Sequence, residues 1–344
     1  MTEKIKVTVV NDSAIMRMLL CEMISSHDKM QVLDTARDGF DALVKIKRNK
    51  PDVLLVDLEM PNMDGLTLIQ NLANDSHLIP IIVVSSYGQE GAKLVFDSLE
   101  VGALDFIQLP MDESREQFKI NLLSKIEAAA NSNPILLIPQ RILNMKPSKK
   151  QRETVGAASK VVIIGASTGG PRTLYDLFPK IPADLKAGIL LVQHMPSAFT
   201  EKFAKRLDEI SNMHVIQARE GDLIEEGKCL VAPGDYHMMV DSSRRISLNQ
   251  DHKRFGVRPA VNVSMITASE VYGPNTIGVL LTGMGQDGAF GMKMIKKRGG
   301  STIAQDESSS IVFGMPKAAN ELGCVDKMLH VNKIPEEIIK VVNA

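Results

Sequence analysis

The sequence predicts an α/β protein built from two domains, each a doubly wound parallel sheet. Short β-branched apolar runs alternate with amphipathic stretches of helical length, and this alternation is present in both halves of the chain. The length of 344 residues exceeds the usual size of about 150 residues for one domain, which indicates two domains. A stretch of different texture in the second half predicts an antiparallel hairpin insertion beside its sheet.

The first domain is predicted to span residues 3–125. Short apolar runs predict its strands at residues 5–10, 53–56, 81–84 and 104–107. Amphipathic helices are predicted at residues 13–24, 39–48 and 113–130. Residues 126–158 are predicted to form a linker, because this segment contains three prolines, several charges and no clear period.

The second domain is predicted to span residues 159–344 and to repeat the same alternation. Its strands are predicted at residues 161–166, 189–193, 277–282 and 302–304. Its helices are predicted at residues 198–210, 261–271, 288–297 and 316–322. Between residues 228 and 249, alternating apolar residues and turn residues predict an antiparallel hairpin pair inserted beside the main sheet.

Charge and composition argue against several classes of function. The net charge of −1 gives no sign of nucleic-acid binding, and the short basic patch at residues 146–150 is explained as a solvated part of the linker. Cys21, Cys229 and Cys324 are scattered, so neither disulfides nor a zinc site is expected. The N-terminus is unlike a signal peptide, and no apolar run approaches the roughly 18 residues of a membrane span. We therefore expect a cytoplasmic protein with no membrane insertion and no nucleic-acid partner.

Ligands of a doubly wound sheet bind beyond the carboxyl ends of its strands, and in the first domain this edge is acidic. Asp12 follows the first predicted strand and Asp57 ends the second, while Ser85 and Leu109 follow the other two. Two converging carboxylates suit a hard cation such as Mg²⁺, and one of them could accept a phosphoryl group that the cation neutralises. The alternative is that Asp12 caps the next helix and Asp57 merely ends a strand.

In the second domain, the turn after the first predicted strand allows two interpretations. Its sequence GASTG, residues 165–169 with Ser167 at the centre, matches G-x-S-x-G, the turn that presents a nucleophilic serine. Gly165, Gly169 and Gly170 also resemble the glycines of a dinucleotide-binding turn. Short-chain dehydrogenases with a similar turn use Tyr-x-x-x-Lys, but none of the four tyrosines has lysine four residues later. The dinucleotide interpretation is therefore the weaker one.

A serine nucleophile needs an imidazole to take its proton and a carboxylate to orient that imidazole. His194 follows the buried run GILLVQ and Asp287 follows GVLLTGMGQ, so both are expected at the same sheet edge as Ser167. The rival bases are His330, which would give the α/β-hydrolase order Ser…Asp…His, and His237 on the inserted hairpin. Ser167 and Asp287 could also simply cap the helices that follow them.

Longer sequence segments of the first domain resemble the receiver domain of two-component response regulators. They occur in the family's order and spacing across residues 3–112 and read VVNDSAIMRMLL, DVLLVDLEMPNMDGL, PIIVVSS and GALDFIQLP. The resemblance implies a flavodoxin-like fold in which Asp57 is the phosphoacceptor, and Asp12 and the Glu59 carbonyl help to hold Mg²⁺. It also implies that Ser85 follows the phosphoryl group and that Phe106 changes rotamer on activation.

Two positions depart from the receiver pattern. Asn11 stands where the family has a first acidic residue, and Leu109 stands where it has a lysine. Asparagine keeps an oxygen near the metal but removes a negative charge. Leucine cannot replace the cation that contacts the phosphoryl oxygens in the family. The resemblance therefore implies a receiver fold whose phosphorylation is impaired.

Phrases covering nearly all of residues 159–340 resemble the catalytic domain of the CheB family of chemotaxis methylesterases. They are IGASTGGP, LLVQHMPSAFTEKFAKRL, VAPGDYHMMV, RPAVN and VLLTGMGQDGAFGMKMIKKRGGSTIAQDESSSIVFGMPKAA. This family combines a receiver, a linker and a three-layer α/β/α catalytic domain, which matches the predicted organisation. One departure is Asn262, which stands where members with RPSVD carry an acid.

The resemblance implies roles for individual residues of the second domain. Ser167 would be the nucleophile, His194 the base and Asp287 the orienting carboxylate. Thr168 lies beside the nucleophile, and the backbone N–H of Met284 would help to form the oxyanion hole.

The same resemblance implies hydrolysis of γ-glutamyl methyl esters, and deamidation of glutamines, on methyl-accepting chemotaxis receptors. No cofactor is expected for the hydrolysis, and Mg²⁺ is expected only in the receiver. A chemotaxis histidine kinase would donate the phosphoryl group, and the receiver would gate the catalytic crevice. Two alternatives stay open: a catalytically silent adaptor that binds receptors, and, less favoured, a dinucleotide-binding α/β protein.

Overall fold

A computed structural model describes residues 3–74, 78–85, 89–109, 115–133, 136 and 155–344. Contacts along the chain separate two compact units, Met1–Arg141 and Ile142–Ala344. The division falls inside the predicted linker 126–158, most of which lies outside the described residues. No helix in the described part of the chain combines the length and the apolar character that a membrane span requires.

The first unit is a parallel sheet of five strands with the order β2-β1-β3-β4-β5. Its elements are β1 (Ile5–Val10), α1 (Ala14–Ser25), β2 (Met30–Ala36), α2 (Gly39–Arg48), β3 (Val53–Asp57), α3 (Gly65–Asn74), β4 (Ile81–Ser85), α4 (Gln89–Val101), β5 (Asp105–Gln108) and α5 (Arg115–Ala130). This strand order is that of flavodoxin-like folds. The order reverses between β1 and β3, so the crevice of the sheet opens beside Asp12 and Asp57.

The second unit is built on a parallel sheet of seven strands with the order β16-β15-β14-β7-β8-β11-β9. Its elements are β6 (Val155–Ala157), β7 (Val161–Ala166), α6 (Gly170–Leu177), β8 (Gly188–Gln193), α7 (Ser197–Ile210), β9 (His214–Gln217), β10 (Glu225–Glu226), β11 (Lys228–Val231), β12 (His237–Val240), β13 (Ile246–Asn249), α8 (Val261–Tyr272), β14 (Thr276–Leu280), α9 (Ala289–Lys297), β15 (Ser301–Gln305), α10 (Met315–Glu321), β16 (Lys327–Leu329) and α11 (Ile334–Asn343). The structure therefore confirms the predicted α/β class with two doubly wound sheets.

The antiparallel part of the second unit is smaller than the sequence suggests. β12 and β13 form the predicted hairpin in a separate small sheet. β11, which lies in the same stretch of sequence, instead pairs in parallel with β8 and β9 in the main sheet. The reason is that three of its four side chains are buried, as a strand inside a parallel sheet requires. A second pair, β6 with β10, includes part of the predicted linker.

The order of the strands places the crevice of the main sheet at the carboxyl end of β7. From β7 the chain continues to β8 on one side, and it later returns to β14 on the other side of β7. All six residues of both β7 and β8 are buried, which fixes these two strands at the centre of the core. The carboxyl ends of β7, β8 and β14 therefore meet at one switch point, where ligands bind in open α/β sheets.

Candidate active site

Ser167 lies in a tight turn at the carboxyl end of β7. Its carbonyl oxygen accepts a hydrogen bond from the N–H of Gly170 at 2.7 Å, and its own N–H donates to the carbonyl oxygen of Thr282 at 3.0 Å. The residue that caps α6 is Gly169, which has a left-handed φ of 75°. Ser167 is thus not the helix cap that its sequence position allows. Its hydroxyl makes no hydrogen bond to any of the described residues.

His194 occupies the equivalent position one strand away. Ala166 pairs with Gln193 at the ends of β7 and β8, and the next residues along the two strands are Ser167 and His194. The Nε2 atom of His194 lies 2.8 Å from Oδ2 of Asp287, and the imidazole is largely buried, with 11% of the side chain exposed. Because an ionised carboxylate only accepts hydrogen bonds, Nε2 carries the proton and Nδ1 keeps its lone pair. This contact leaves Nδ1 as the ring nitrogen available to accept a proton.

Asp287 is held as an anion at the start of α8. Its Oδ2 accepts from the N–H of Val261 at 2.7 Å, and its Oδ1 accepts from the N–H groups of Asn262 and Gly288, each at 3.0 Å. Burial raises the pKa of this carboxyl, but the His194 hydrogen bond and charge and the backbone donors outweigh burial and lower the pKa below its usual 3.8. Asp287 thus caps α8 through two N–H groups and also accepts from Gly288 at the start of α9.

The lowered pKa of Asp287 predicts a pH dependence of stability. The native state binds fewer protons at this carboxyl than the unfolded state, so the stabilisation is present above the unfolded pKa of 3.8 and is lost as the pH falls below it. The difference in unfolding free energy between wild type and D287N should be constant above about pH 5 and should narrow by up to about 1.4 kcal/mol per pH unit below about pH 4. Urea denaturation at a series of pH values measures this difference.

Asp184 provides the matched control, since its side chain is exposed. D184N should follow wild type across the same pH range. A D287N difference that stays constant down to pH 3 would contradict an anion stabilised by His194 and the helix.

The loop after β14 lies directly against Ser167. A Cβ placed on Gly283 would come within 2.7 Å of the Ser167 Cβ, so only glycine permits this approach. The hydroxyl of Thr282 donates to the carbonyl oxygen of Thr168 at 3.0 Å, which joins the loop to the turn that contains Ser167. Within the described part of the chain, the N–H of Met284 has no hydrogen-bond acceptor. This leaves a backbone donor beside Ser167 for an incoming oxygen.

The two rival histidines have other partners. His330 follows β16, three strands from β7, and its Nδ1 accepts from the N–H of Asn332 at 3.3 Å. His237 is 1% exposed, with Nδ1 accepting from the N–H of Ala260 and Nε2 donating to the carbonyl oxygen of His252, each at 3.2 Å. Burial lowers the pKa of His237 below its usual value. Neither imidazole is hydrogen-bonded to Asp287.

The side-chain oxygen and the backbone N–H of Asn262 both form hydrogen bonds within the second unit. Its side-chain oxygen accepts from the N–H of Gly291 at 2.7 Å, which joins α8 to α9. Its backbone N–H is one of the donors to Asp287. Sequence patterns did not reveal this second role, because a backbone N–H carries no side-chain signal. For the same reason, sequence patterns do not reveal that the backbone N–H of Val261 donates to Asp287.

At the crevice of the first unit, Asp57 lies close enough to Asp12 to feel its charge. The side-chain nitrogen of Asn11 donates to Asp57 Oδ2 at 2.8 Å, and the N–H of Glu59 donates to Oδ1 at 3.2 Å. Burial is the main cause that raises the pKa of Asp57 to about 6, with the charge of Asp12 adding to it and the N–H of Glu59 opposing it. No cationic side chain among the described residues forms an ion pair with Asp57.

The remaining receiver residues lie around this edge. Ser85 is 3% exposed at the end of β4, and its carbonyl oxygen accepts from the N–H of Leu109 at 2.9 Å. Phe106 is 5% exposed within β5. Leu109 therefore holds the backbone position that follows β5, but its side chain offers no charge.

The oxygen donors at this edge fit Mg²⁺. In the described residues, no three His, Cys, Asp or Glu side chains gather closely enough to hold a metal by themselves. Two carboxylates, Asp12 and Asp57, and the carbonyl of Glu59 nevertheless offer a small set of oxygen donors of the kind that Mg²⁺ would complete with water. Burial is the main cause of the raised pKa of Asp57, and the charge of Asp12, which adds to it, is what a cation between the carboxylates would offset.

Comparisons with known proteins find a matching family for each of the two units. Residues 7–121 match the family described as response regulator receiver domain, and residues 162–338 match the family described as CheB methylesterase. A protein-glutamate methylesterase/protein-glutamine glutaminase of Pyrococcus horikoshii is 48% identical over 350 residues, covering 99% of this chain and 95% of that protein. A protein of the same name from Clostridium acetobutylicum is 41% identical over 345 residues, covering 99% of this chain and 98% of the relative.

A solved structure resembles the second unit. The CheB methylesterase catalytic domain of Thermotoga maritima superimposes with a TM-score of 0.52 at 42% identity. The match covers 54% of this chain and 100% of that domain.

Proposed function

The chain belongs to the CheB methylesterase family and is a protein-glutamate methylesterase and protein-glutamine glutaminase of chemotaxis adaptation; we propose that Ser167, His194 and Asp287 perform its hydrolysis. The observation that carries this assignment is the 2.8 Å contact of His194 with Asp287, at the sheet edge where Ser167 also lies. Backbone donors hold the carboxylate as an anion, and the carboxylate fixes the imidazole with Nδ1 available for a proton.

The proposed reaction proceeds through an acyl-enzyme. His194 Nδ1 takes the hydroxyl proton while Ser167 Oγ bonds to the ester carbonyl carbon, and the resulting oxyanion accepts a hydrogen bond from the N–H of Met284. One such donor contributes about 3–4 kcal/mol in comparable sites. The tetrahedral intermediate expels the methoxy group, which leaves as methanol with the proton from His194. Water then adds to the acyl-enzyme by the same route and releases glutamate; for glutamine, ammonia leaves instead.

We propose methyl-accepting chemotaxis receptors as the substrate and a chemotaxis histidine kinase as the phosphoryl donor. The receiver family match supports the second partner and the names of the relatives support the first. Glutamyl esters on the cytoplasmic helices of receptors also imply a cytoplasmic location. The hydrolysis itself uses only the side chains and backbone groups described above, whereas Mg²⁺ belongs to the receiver, held by Asp12, Asp57 and the Glu59 carbonyl.

Methanol release tests this function directly. Incubation of the full chain with membranes that contain methylated receptors should release methanol and leave glutamates at the methylation sites. Receptor binding without methanol release, or without deamidation, would instead support a silent adaptor. S167A serves as the control for spontaneous ester hydrolysis in the same membranes.

The receiver is expected to respond weakly to a phosphoryl analogue. Beryllofluoride with Mg²⁺ should raise the esterase rate of the full chain less than about twofold, because Leu109 offers no cation that would favour the phosphorylated state. A ligand can shift an equilibrium only by its differential affinity for the two states. The fragment 159–344 should be more active than the full chain, as expected if the receiver covers the crevice as in the family. Esterase rates with and without beryllofluoride measure both effects.

The variant L109K, alone or with N11D, supplies the matched comparison. Both changes restore the family's charges, so the double variant should gain a clear response to beryllofluoride. Strong activation of the unmodified full chain would show that this receiver signals without the lysine, and the proposed impairment would then be wrong.

A further inference from the structure

Gln193 bridges two backbone segments of the proposed triad. It ends β8, directly before His194, and its side chain is 3% exposed. Its Nε2 donates to the carbonyl oxygen of Ser167 at 3.0 Å and to that of His194 at 3.1 Å. A flipped amide would place its oxygen against the same two carbonyl oxygens, so these contacts fix the amide orientation. One buried side chain thus connects the nucleophile turn to the base.

The Gln193 side chain lies where the backbone hydrogen bonds between β7 and β8 end. The last backbone hydrogen bond between β7 and β8 joins the N–H of His194 to the carbonyl oxygen of Ala166 at 3.1 Å. Beyond it the chain of Ser167 turns towards α6, and the chain of His194 leads towards α7. The Gln193 amide extends the connection one step past the end of the ladder, to the level of the catalytic side chains.

The buried Gln193 amide also has an energetically unfavourable contact pattern at its oxygen. Its Oε1 is buried and has no hydrogen-bond partner among the described residues, which disfavours the folded state. A Cβ on Gly170 would lie 2.0 Å from this oxygen, so α6 makes room for the amide only because it begins with glycine. An apolar side chain of similar volume would avoid the unpaired oxygen. The favourable part of the arrangement is therefore the pair of hydrogen bonds from Nε2.

We propose that Gln193 is a positioning residue, which sets the distance between the Ser167 hydroxyl and the His194 imidazole. The inference rests on the proposed triad and adds to it a group that touches neither substrate nor reacting atoms. Asp287 orients the imidazole from one side, and Thr282 holds the N–H of Ser167 from the other. Gln193 joins the Ser167 turn to the backbone of His194. This connection matters because a displacement of about 1 Å between reacting groups can lower a rate about 100-fold.

The rate of labelling by a fluorophosphonate tests the proposal on the full chain. In this reaction Ser167 Oγ bonds to phosphorus, fluoride leaves, and His194 takes the hydroxyl proton, so the rate reports proton transfer without receptor binding. Q193L removes both donors at similar volume, and Q193N is too short to reach both carbonyl oxygens. Each should label about 10-fold to 100-fold more slowly than wild type, with kcat on receptor membranes reduced in parallel and KM unchanged.

T302V separates positioning from stability. The Thr302 hydroxyl is buried at the amino end of β15, where it donates to the carbonyl oxygen of Cys324 at 2.7 Å, so its loss should lower Tm but not the labelling rate. If Q193L and Q193N label within threefold of T302V when both are well below their Tm, the proposal is wrong while the triad stands. If wild type itself is not labelled at Ser167, the proposed triad fails instead.

Discussion

Replacing Ser167 or His194 by alanine is expected to lower the rate of methanol release by about 10⁶-fold, with a residual rate above the uncatalysed one because the oxyanion donor and substrate binding remain. In the proposed mechanism the two residues act as a unit, because the hydroxyl forms the bond to the acyl carbon and the imidazole moves the proton in every step. In a comparable serine hydrolase, loss of either the serine or the histidine costs about as much as loss of the whole triad. Initial rates of methanol release from methylated receptor membranes measure the effect.

H330A is the matched control, because His330 is the rival base and lies on the surface of the same unit. It should retain near-normal activity. The double variant S167A/H194A should be no slower than either single variant, since the two residues do not contribute independently. An inactive H330A together with an active H194A would reverse the assignment and restore the α/β-hydrolase order.

Asp287 is expected to have the second-largest effect, with D287N losing about 10⁴-fold in kcat and keeping measurable activity. Asparagine preserves the volume but loses the negative charge that fixes the proton on Nε2 of His194 and stabilises the imidazolium. In a comparable site, this replacement leaves the geometry and selects the wrong tautomer. The activity should stay below wild type at every pH, because asparagine has no ionised form.

D287A separates the chemical role of Asp287 from its structural role. It removes the acceptor of three backbone N–H groups as well as the partner of His194, so unfolding free energy should fall by about 3 kcal/mol. D287N keeps one oxygen as an acceptor and should be destabilised less. Equal stability of D287A and wild type in urea denaturation would contradict the role of Asp287 as the cap of α8.

The proposed catalytic edge is the part of the molecule that the sequence predicts best. Ser167, His194 and Asp287 each follow a continuous buried run, and parallel strands place their carboxyl ends at one edge. That argument predicts proximity but does not choose between imidazoles. The choice requires the structure, in which His237 uses both ring nitrogens within the fold and His194 contacts Asp287.

Other features escape sequence patterns for physical reasons. The pattern did not predict β2, because it is an edge strand whose side chains are mostly half-buried and show no continuous apolar run. The sequence pattern groups β11 with the hairpin, because its four residues are too few to show a parallel-strand pattern. The cap that Asp287 places on α8 joins backbone N–H groups 25 and 26 residues away. No local spacing reports such a contact.

The most direct test of the central claim is to titrate the active site with a fluorophosphonate and to locate the adduct by mass spectrometry. The full chain should incorporate one label per molecule, the label should map to Ser167, and methanol release should fall in proportion to labelling. S167A and H194A should remain unlabelled, whereas H330A should label like wild type. Complete labelling at another residue, or full methanol release from protein labelled at Ser167, would contradict the account.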